Sequence, residues 1–198
     1  MNLARTNFEP LATKINNSAG LPLTHRLECR VCILMMILEG PMSVDIGKKV
    51  PDFTLEATGE QEISLSDLKG QNVVLYFYPK DNTPGCTREG QDFRDNYSKF
   101  KRQNTVILGV SRDSIKSHEN FKARQGFQFD LLSDKDENLC KLFDVIKMKN
   151  MYGKQVRGIE RSTFLIDSNA RLKKEWRKLK VDGHVDEVLV AVKELNKS

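Results

Sequence analysis

Three unbroken apolar runs set the limits on this fold: Asn72–Tyr78 (NVVLYFY), Thr105–Ser111 (TVILGVS) and Ser162–Asp167 (STFLID). A strand with one wet face alternates polar and apolar side chains. A run without alternation must be covered on both faces, as in a parallel or mixed sheet between layers of helix. Amphipathic segments suited to that cover lie between the runs. Phe93, Tyr97 and Phe100 recur at i, i+4 and i+7, which predicts a helix from Cys86 to about Arg102. Ser114–Gln125 reads as a second helix closed by Gly126, Asp136–Phe143 as a third, and Val185, Val188, Leu189, Val192 and Leu195 stripe a last one. Shorter strands are predicted at Phe53–Leu55 and Ile63–Leu65 around Gly59, at Phe129–Leu132, and at Arg171–Leu179 across an Asn169-Ala170 turn. The pattern is α/β: a central mixed sheet flanked by helices.

A chain of 198 residues fits one such domain with an appendage. Residues 1–41 lack sustained periodicity and show no secretory-signal pattern, so they read as an N-terminal extension, poorly ordered or outside the native product, with residues 42–198 as the folded domain and Met42 as the expected native start. No apolar run approaches the roughly 18 residues a membrane span needs. The net charge of +5 is interleaved rather than gathered, and the densest basic stretch, Arg171–Lys180, alternates like a half-exposed strand; neither nucleic acid nor a membrane is an expected partner. Four cysteines are too few for a disulfide framework and fit a reducing cytoplasm. The Cys29-x-x-Cys32 pair stands alone, leaving an incidental pair, an accessory redox role or a metal ligand pair as its readings. His25, His118 and His184 fall in no ligand spacing and read as surface residues.

The loop Pro79-Lys80-Asp81-Asn82-Thr83-Pro84-Gly85-Cys86-Thr87 joins a buried strand to a helix, where ligands bind in twisted α/β sheets. Cys86 then sits in the first helical turn, faced by free amides and the positive end of the helix dipole. A thiol of ordinary pKa near about 8.5 is a few per cent ionised at neutral pH, and making it mostly thiolate takes roughly 3–4 kcal/mol. A helix terminus supplies about 0.3–2 kcal/mol, so a guanidinium is expected nearby. Ionisation alone raises the nucleophile concentration only about thirtyfold, so positioning by a hydroxyl such as Thr83 and by loop amides must do more.

The string Pro79-x-x-x-Thr83-x-x-Cys86, with Tyr76-Phe77-Tyr78 before it and Thr87-Arg88-Glu89 after it, resembles the peroxidatic motif of the peroxiredoxins. The wording TPGCTREG is most similar to the bacterioferritin comigratory protein, or peroxiredoxin Q, subfamily. The similarity extends from about Val44 to the C-terminus and includes Pro51–Leu55 and Gly158–Asp167. The resemblance implies a thioredoxin-like fold and thiol-dependent reduction of hydrogen peroxide and organic hydroperoxides without metal, haem or flavin. It assigns Cys86 as the peroxidatic nucleophile, Thr83 as the hydroxyl that bonds the peroxide, Pro79 as a shield for the site, and Arg161 as the arginine that activates the thiol and orients substrate. A rival reading keeps the fold and Cys86 but makes the protein a redox sensor or thiol-transfer protein. A holdase or nucleic-acid-binding module on the basic surface is a third.

Many members of that subfamily carry a resolving cysteine five residues after the peroxidatic one; here that position is Gln91, and Gly90 stands where alanine is usual. Cys140, beside Leu139, Leu142 and Phe143, reads first as core, and as a resolving thiol only if helices shift. The preferred reading is a one-cysteine mechanism, with thioredoxin, glutaredoxin or glutathione clearing the sulfenic acid, in a monomer or weak homodimer.

Overall fold

The computed structural model describes residues 44–151 and 153–197. The readings of residues 1–41, of the start at Met42, of the Cys29–Cys32 pair and of His25 lie outside the described residues. A seven-stranded mixed sheet is formed by β1 (Thr54–Ala57), β2 (Gln61–Ser64), β3 (Asn72–Phe77), β4 (Thr105–Ser111), β5 (Asp130–Ser133), β8 (Ser162–Ile166) and β9 (Leu172–Trp176), in the order β2-β1-β5-β4-β3-β8-β9. Strands β3, β4 and β5 run parallel, while β8 pairs antiparallel with β3 and β9 with β8. All of β3 is buried, as its unalternating sequence requires.

The pleat sends alternate residues of β3 into two cores. Val73, Leu75 and Phe77 join Leu108, Val110, Phe164 and Cys140 on one face. Val74 and Tyr76 join Ile107, Leu131 and Leu165 on the other. Helices α1 (Pro84–Arg102), α2 (Ile115–Gln125) and α4 (His184–Leu195) cover the second face through Phe93, Phe100, Phe121, Val188 and Val192. Helix α3 (Asn138–Leu142) packs Leu139 and Cys140 into the first. Local chemistry fixes the helix ends: Ser114 Oγ accepts from Ser117 N–H at the start of α2, and Gly126, in the left-handed region at φ 66°, ends it.

Two departures from the sequence reading stand out. The third helix is one short turn rather than the Asp136–Phe143 span, and the chain after it forms a hairpin the sequence did not reveal, β6 (Ile146–Met151) with β7 (Lys154–Ile159). That hairpin is a separate two-stranded sheet in which the Ile146–Ile159 pair meets the core while Met148 and Val156 are exposed, so no inward apolar alternation runs along it. It is tied down through Glu137, which accepts from Arg112 Nη1 at 2.9 Å and from the Arg157 guanidinium; these cations hold the Glu137 carboxyl down at about 2, Arg157 contributing most.

Candidate active site

Strand β3 delivers the chain to the loop, and Pro84 starts α1. Proline suits that first helical position because its missing N–H would have no intrahelical partner there. Thr83 is the N-cap residue, with extended backbone at φ −85° and ψ 149°, and its carbonyl accepts the first helical bond from Thr87 N–H at 2.9 Å. Its hydroxyl does not cap the helix. It donates backwards to the Lys80 carbonyl at 3.1 Å, which fixes the hydroxyl and leaves the oxygen's lone pairs able to accept from a ligand. Pro79 is half-buried at the start of the same loop.

Cys86 falls in the first turn of α1, as expected, but its surroundings are tighter than an exposed helix start: Pro84 and Gly85 are exposed, whereas Cys86 is 2% exposed. The expected guanidinium is present. Arg161 Nη2 lies 3.1 Å from Cys86 Sγ across a sequence separation of 75 residues. Sheet register explains the meeting: β8 pairs with β3 so that Ser162 lies opposite Phe77, which sets Arg161 beside the loop that follows β3. Gly85 leaves room for this contact, since a Cβ there would stand 3.3 Å from Arg161 Nη2.

Glu89 is the residue the sequence reading missed. Fully buried on α1, one turn after Cys86, it accepts from Arg161 Nη1. Burial pushes its carboxyl up to about 7, with Arg161 pulling the other way, and its Oε1 has no protein hydrogen-bond partner. Burial also works against the charge of Arg161, but Glu89 and Cys86 outweigh it and hold the guanidinium proton more tightly than usual. Cys86, Arg161 and Glu89 therefore form a chain in which the buried carboxylate aligns the cation and the cation's second arm reaches the sulfur. Lys149 reinforces the frame by donating to the Ile159 carbonyl just before Arg161; burial lowers its ammonium below the usual range. Lys149, Met148, Glu160, Arg161 and Lys178 line a recess on the β6–β7 side of Arg161. A roomier cavity of about 680 Å³, lined by Val50, Leu65, Val73 and Asp167, opens at the far end of β3, away from this chemistry.

Neither other helix position raised by the sequence faces the sulfur. Gln91 bridges α1 to α2, its Nε2 donating to Gln125 Oε1 at 2.9 Å. Cys140 lies in the core on the opposite face of the sheet from Cys86, and burial, with Asp134 adding, pushes its thiol well above the ordinary range. Gly90 has a local reason: a Cβ there would run into the ring of Phe127. The reading of His118 and His184 as surface residues is corrected: they are 0% and 3% exposed. Each finds polar partners inside, His184 Nε2 with Thr163 Oγ1 at 2.8 Å and His118 with Asp81.

The AhpC/TSA family model matches residues 46–175. The peroxiredoxin Bcp of Xanthomonas campestris is 56% identical over 142 residues, covering 72% of this chain and 89% of that protein. A putative peroxiredoxin bcp of Coxiella burnetii is 50% identical over 148 residues, covering 75% and 98%. A solved structure of the Xanthomonas campestris bacterioferritin comigratory protein, determined for insight into its alkyl peroxide reduction activity, superposes with a TM-score of 0.70 at 54% identity, covering 73% of this chain and 92% of that one.

Proposed function

The chain belongs to the AhpC/TSA family, in its Bcp or peroxiredoxin Q branch, and from that premise we propose that Cys86 is the nucleophile of a thiol-dependent peroxidase acting on hydrogen peroxide and organic hydroperoxides. The observation that carries the assignment is the 3.1 Å contact between Arg161 Nη2 and Cys86 Sγ in the first turn of α1, the positive end of its dipole. The thiolate attacks one peroxide oxygen; a sulfur–oxygen bond forms as the O–O bond breaks. Cys86 becomes a sulfenic acid, and the departing oxygen takes a proton and leaves as water or alcohol. Arg161 supplies the positive charge that stabilises thiolate and departing oxygen, and Glu89 aligns it. Thr83 Oγ accepts from the substrate O–H, its own proton being committed to Lys80. Pro79 shields the loop side of the site.

The sulfenic acid needs a second thiol. Because Cys140 is held in the opposite core and Gln91 stands where the subfamily carries its resolving cysteine, an external thiol is the reading these residues support: a small thiol or a thioredoxin-like donor forms a mixed disulfide with loss of water, and a second thiol equivalent releases Cys86. The low cysteine count supports a cytoplasmic setting. No helix among the described residues is long and apolar enough to cross a membrane. We take the working form to be a monomer or weak homodimer.

The test is steady-state peroxide consumption with an external thiol donor. The wild-type chain turns over continuously, and Cys86→Ser abolishes consumption while keeping the far-ultraviolet circular dichroism of the fold. Continued peroxide reduction by Cys86→Ser would overturn the assignment, and a single turnover that no thiol donor restores would favour the sensor reading.

A further inference from the structure

A buried polar cluster that the peroxide chemistry leaves unused lies behind the active-site loop. Asp81 belongs to that loop, between Pro79 and Thr83, yet its side chain is only 2% exposed. Its Oδ1 accepts from Tyr78 Oη at 2.8 Å and its Oδ2 from Ser117 Oγ at 2.7 Å. His118 Nδ1, from α2, lies 3.1 Å from Oδ1 and 2.9 Å from Oδ2. The Asp81 backbone N–H donates to Asp113 Oδ2 at 2.9 Å. Burial opposes the charge of Asp81, but His118, Ser117 and Tyr78 outweigh it and hold the carboxyl below its usual range. With two hydroxyls donating to it, the group is a carboxylate.

The other ring nitrogen of His118 faces a second acceptor. Nε2 is 3.2 Å from the Leu132 carbonyl oxygen on β5. A carboxylate and a carbonyl can only accept, whereas a neutral imidazole carries one N–H. Either neutral tautomer would set a ring lone pair against oxygen lone pairs in a site with 0% exposure. Only a ring protonated on both nitrogens donates to both neighbours. Tyr78 on β3, 3.4 Å from Nδ1, and Asp113 after β4 are the other titratable groups touching the pair or the Asp81 backbone.

We propose that His118 is a positioning residue for the peroxidase reaction: a buried imidazolium that ties Asp81 to β5 and so fixes the loop that carries Thr83. The inference rests on the peroxidase reading. The loop needs such an anchor because Asn82 holds a left-handed backbone at φ 57° directly before the extended Thr83, a sequence of conformations that nothing in regular structure enforces. Arg161 grips the sulfur, and His118, through Asp81, grips the loop that aims Thr83 at the same peroxide.

The experiment compares wild-type protein with His118→Gln, which keeps a donor for only one acceptor, and with Asp81→Asn. Two reactions of Cys86 are followed: oxidation by hydrogen peroxide, which needs Thr83 in place, and alkylation by iodoacetamide, which does not. The expected result is a loss of about tenfold to a hundredfold in the peroxide rate constant with alkylation kept within about twofold. Histidine-selective ¹⁵N NMR on the wild-type protein should show both ring nitrogens of His118 protonated at neutral pH, a readout that does not depend on any variant folding. A single protonated ring nitrogen overturns the proposal. So do peroxide rates unchanged in both variants, or peroxide and alkylation rates falling together. A wild-type chain inert toward peroxide would overturn the peroxidase reading, and the positioning role with it.

Discussion

Replacing Glu89 with glutamine should make the fold more stable and the enzyme worse. Glu89 is fully buried, and desolvation carries its carboxyl from 4.5 to about 7 despite the partnership with Arg161. Between those two values the native state binds more protons at this site than the unfolded chain does, so stability falls as pH rises through the interval. At about 1.4 kcal/mol per pH unit, the interval corresponds to roughly 3 kcal/mol lost by the wild type between pH 4.5 and 7. Glutamine keeps the shape and does not titrate. The difference in unfolding free energy, variant minus wild type, should therefore rise by roughly 3 kcal/mol across this range, because every other titrating group is common to both proteins. Urea denaturation at closely spaced pH values reads that difference directly. Catalysis should move the other way: Arg161 loses a charge-assisted hydrogen bond of about 1.5–3 kcal/mol, and the peroxide rate constant should fall about tenfold or more. Parallel stability profiles for the two proteins would refute the reasoning, since they would mean that Glu89 does not ionise at a burial cost in the folded state.

His184 supplies the opposite sign. Burial, with Arg161 adding, pushes its imidazole from 6.5 down to about 4, so between those values the unfolded chain binds more protons and the wild type loses stability as pH falls. His184→Gln should remove that slope, and urea titrations should show the gap between the two proteins changing by roughly 3 kcal/mol from pH 6.5 to 4, in the direction that costs the wild type at acid pH. Cys140→Ala should leave peroxide turnover with an external thiol within about twofold, because this sulfur lies in the core across the sheet from Cys86. Mass spectrometry of the wild type after one equivalent of peroxide should find the new oxygen on Cys86, and a disulfide from Cys86 to Cys140, Cys29 or Cys32 would overturn the external-thiol mechanism.

What the sequence disclosed, and what it hid, follows from how each feature is built. Strand β4 is found at the predicted Thr105–Ser111 because burial on both faces leaves one reading of that run. The β6–β7 hairpin was hidden because it stands apart from the sheet and buries little. Arg161 could be singled out only through the family resemblance, since its own neighbours say nothing of the β3–β8 register that brings it to Cys86. The histidines were misplaced because a single buried imidazole leaves no periodic trace, and its partners, Asp81 and Thr163, come from other elements. Glu89 did leave a signal. Cys86, Glu89, Gly90, Phe93 and Phe100 are the buried residues of α1, so a carboxylate and a side-chain-free position interrupt an otherwise apolar stripe. A charge on a buried face requires a buried partner, and a missing side chain there requires something to fill its place. The partners prove to be Arg161 and the ring of Phe127. Where the helix breaks its own pattern, distant segments have to supply what the pattern lacks, and in this chain one of those breaks aligns the cation that faces Cys86 Sγ.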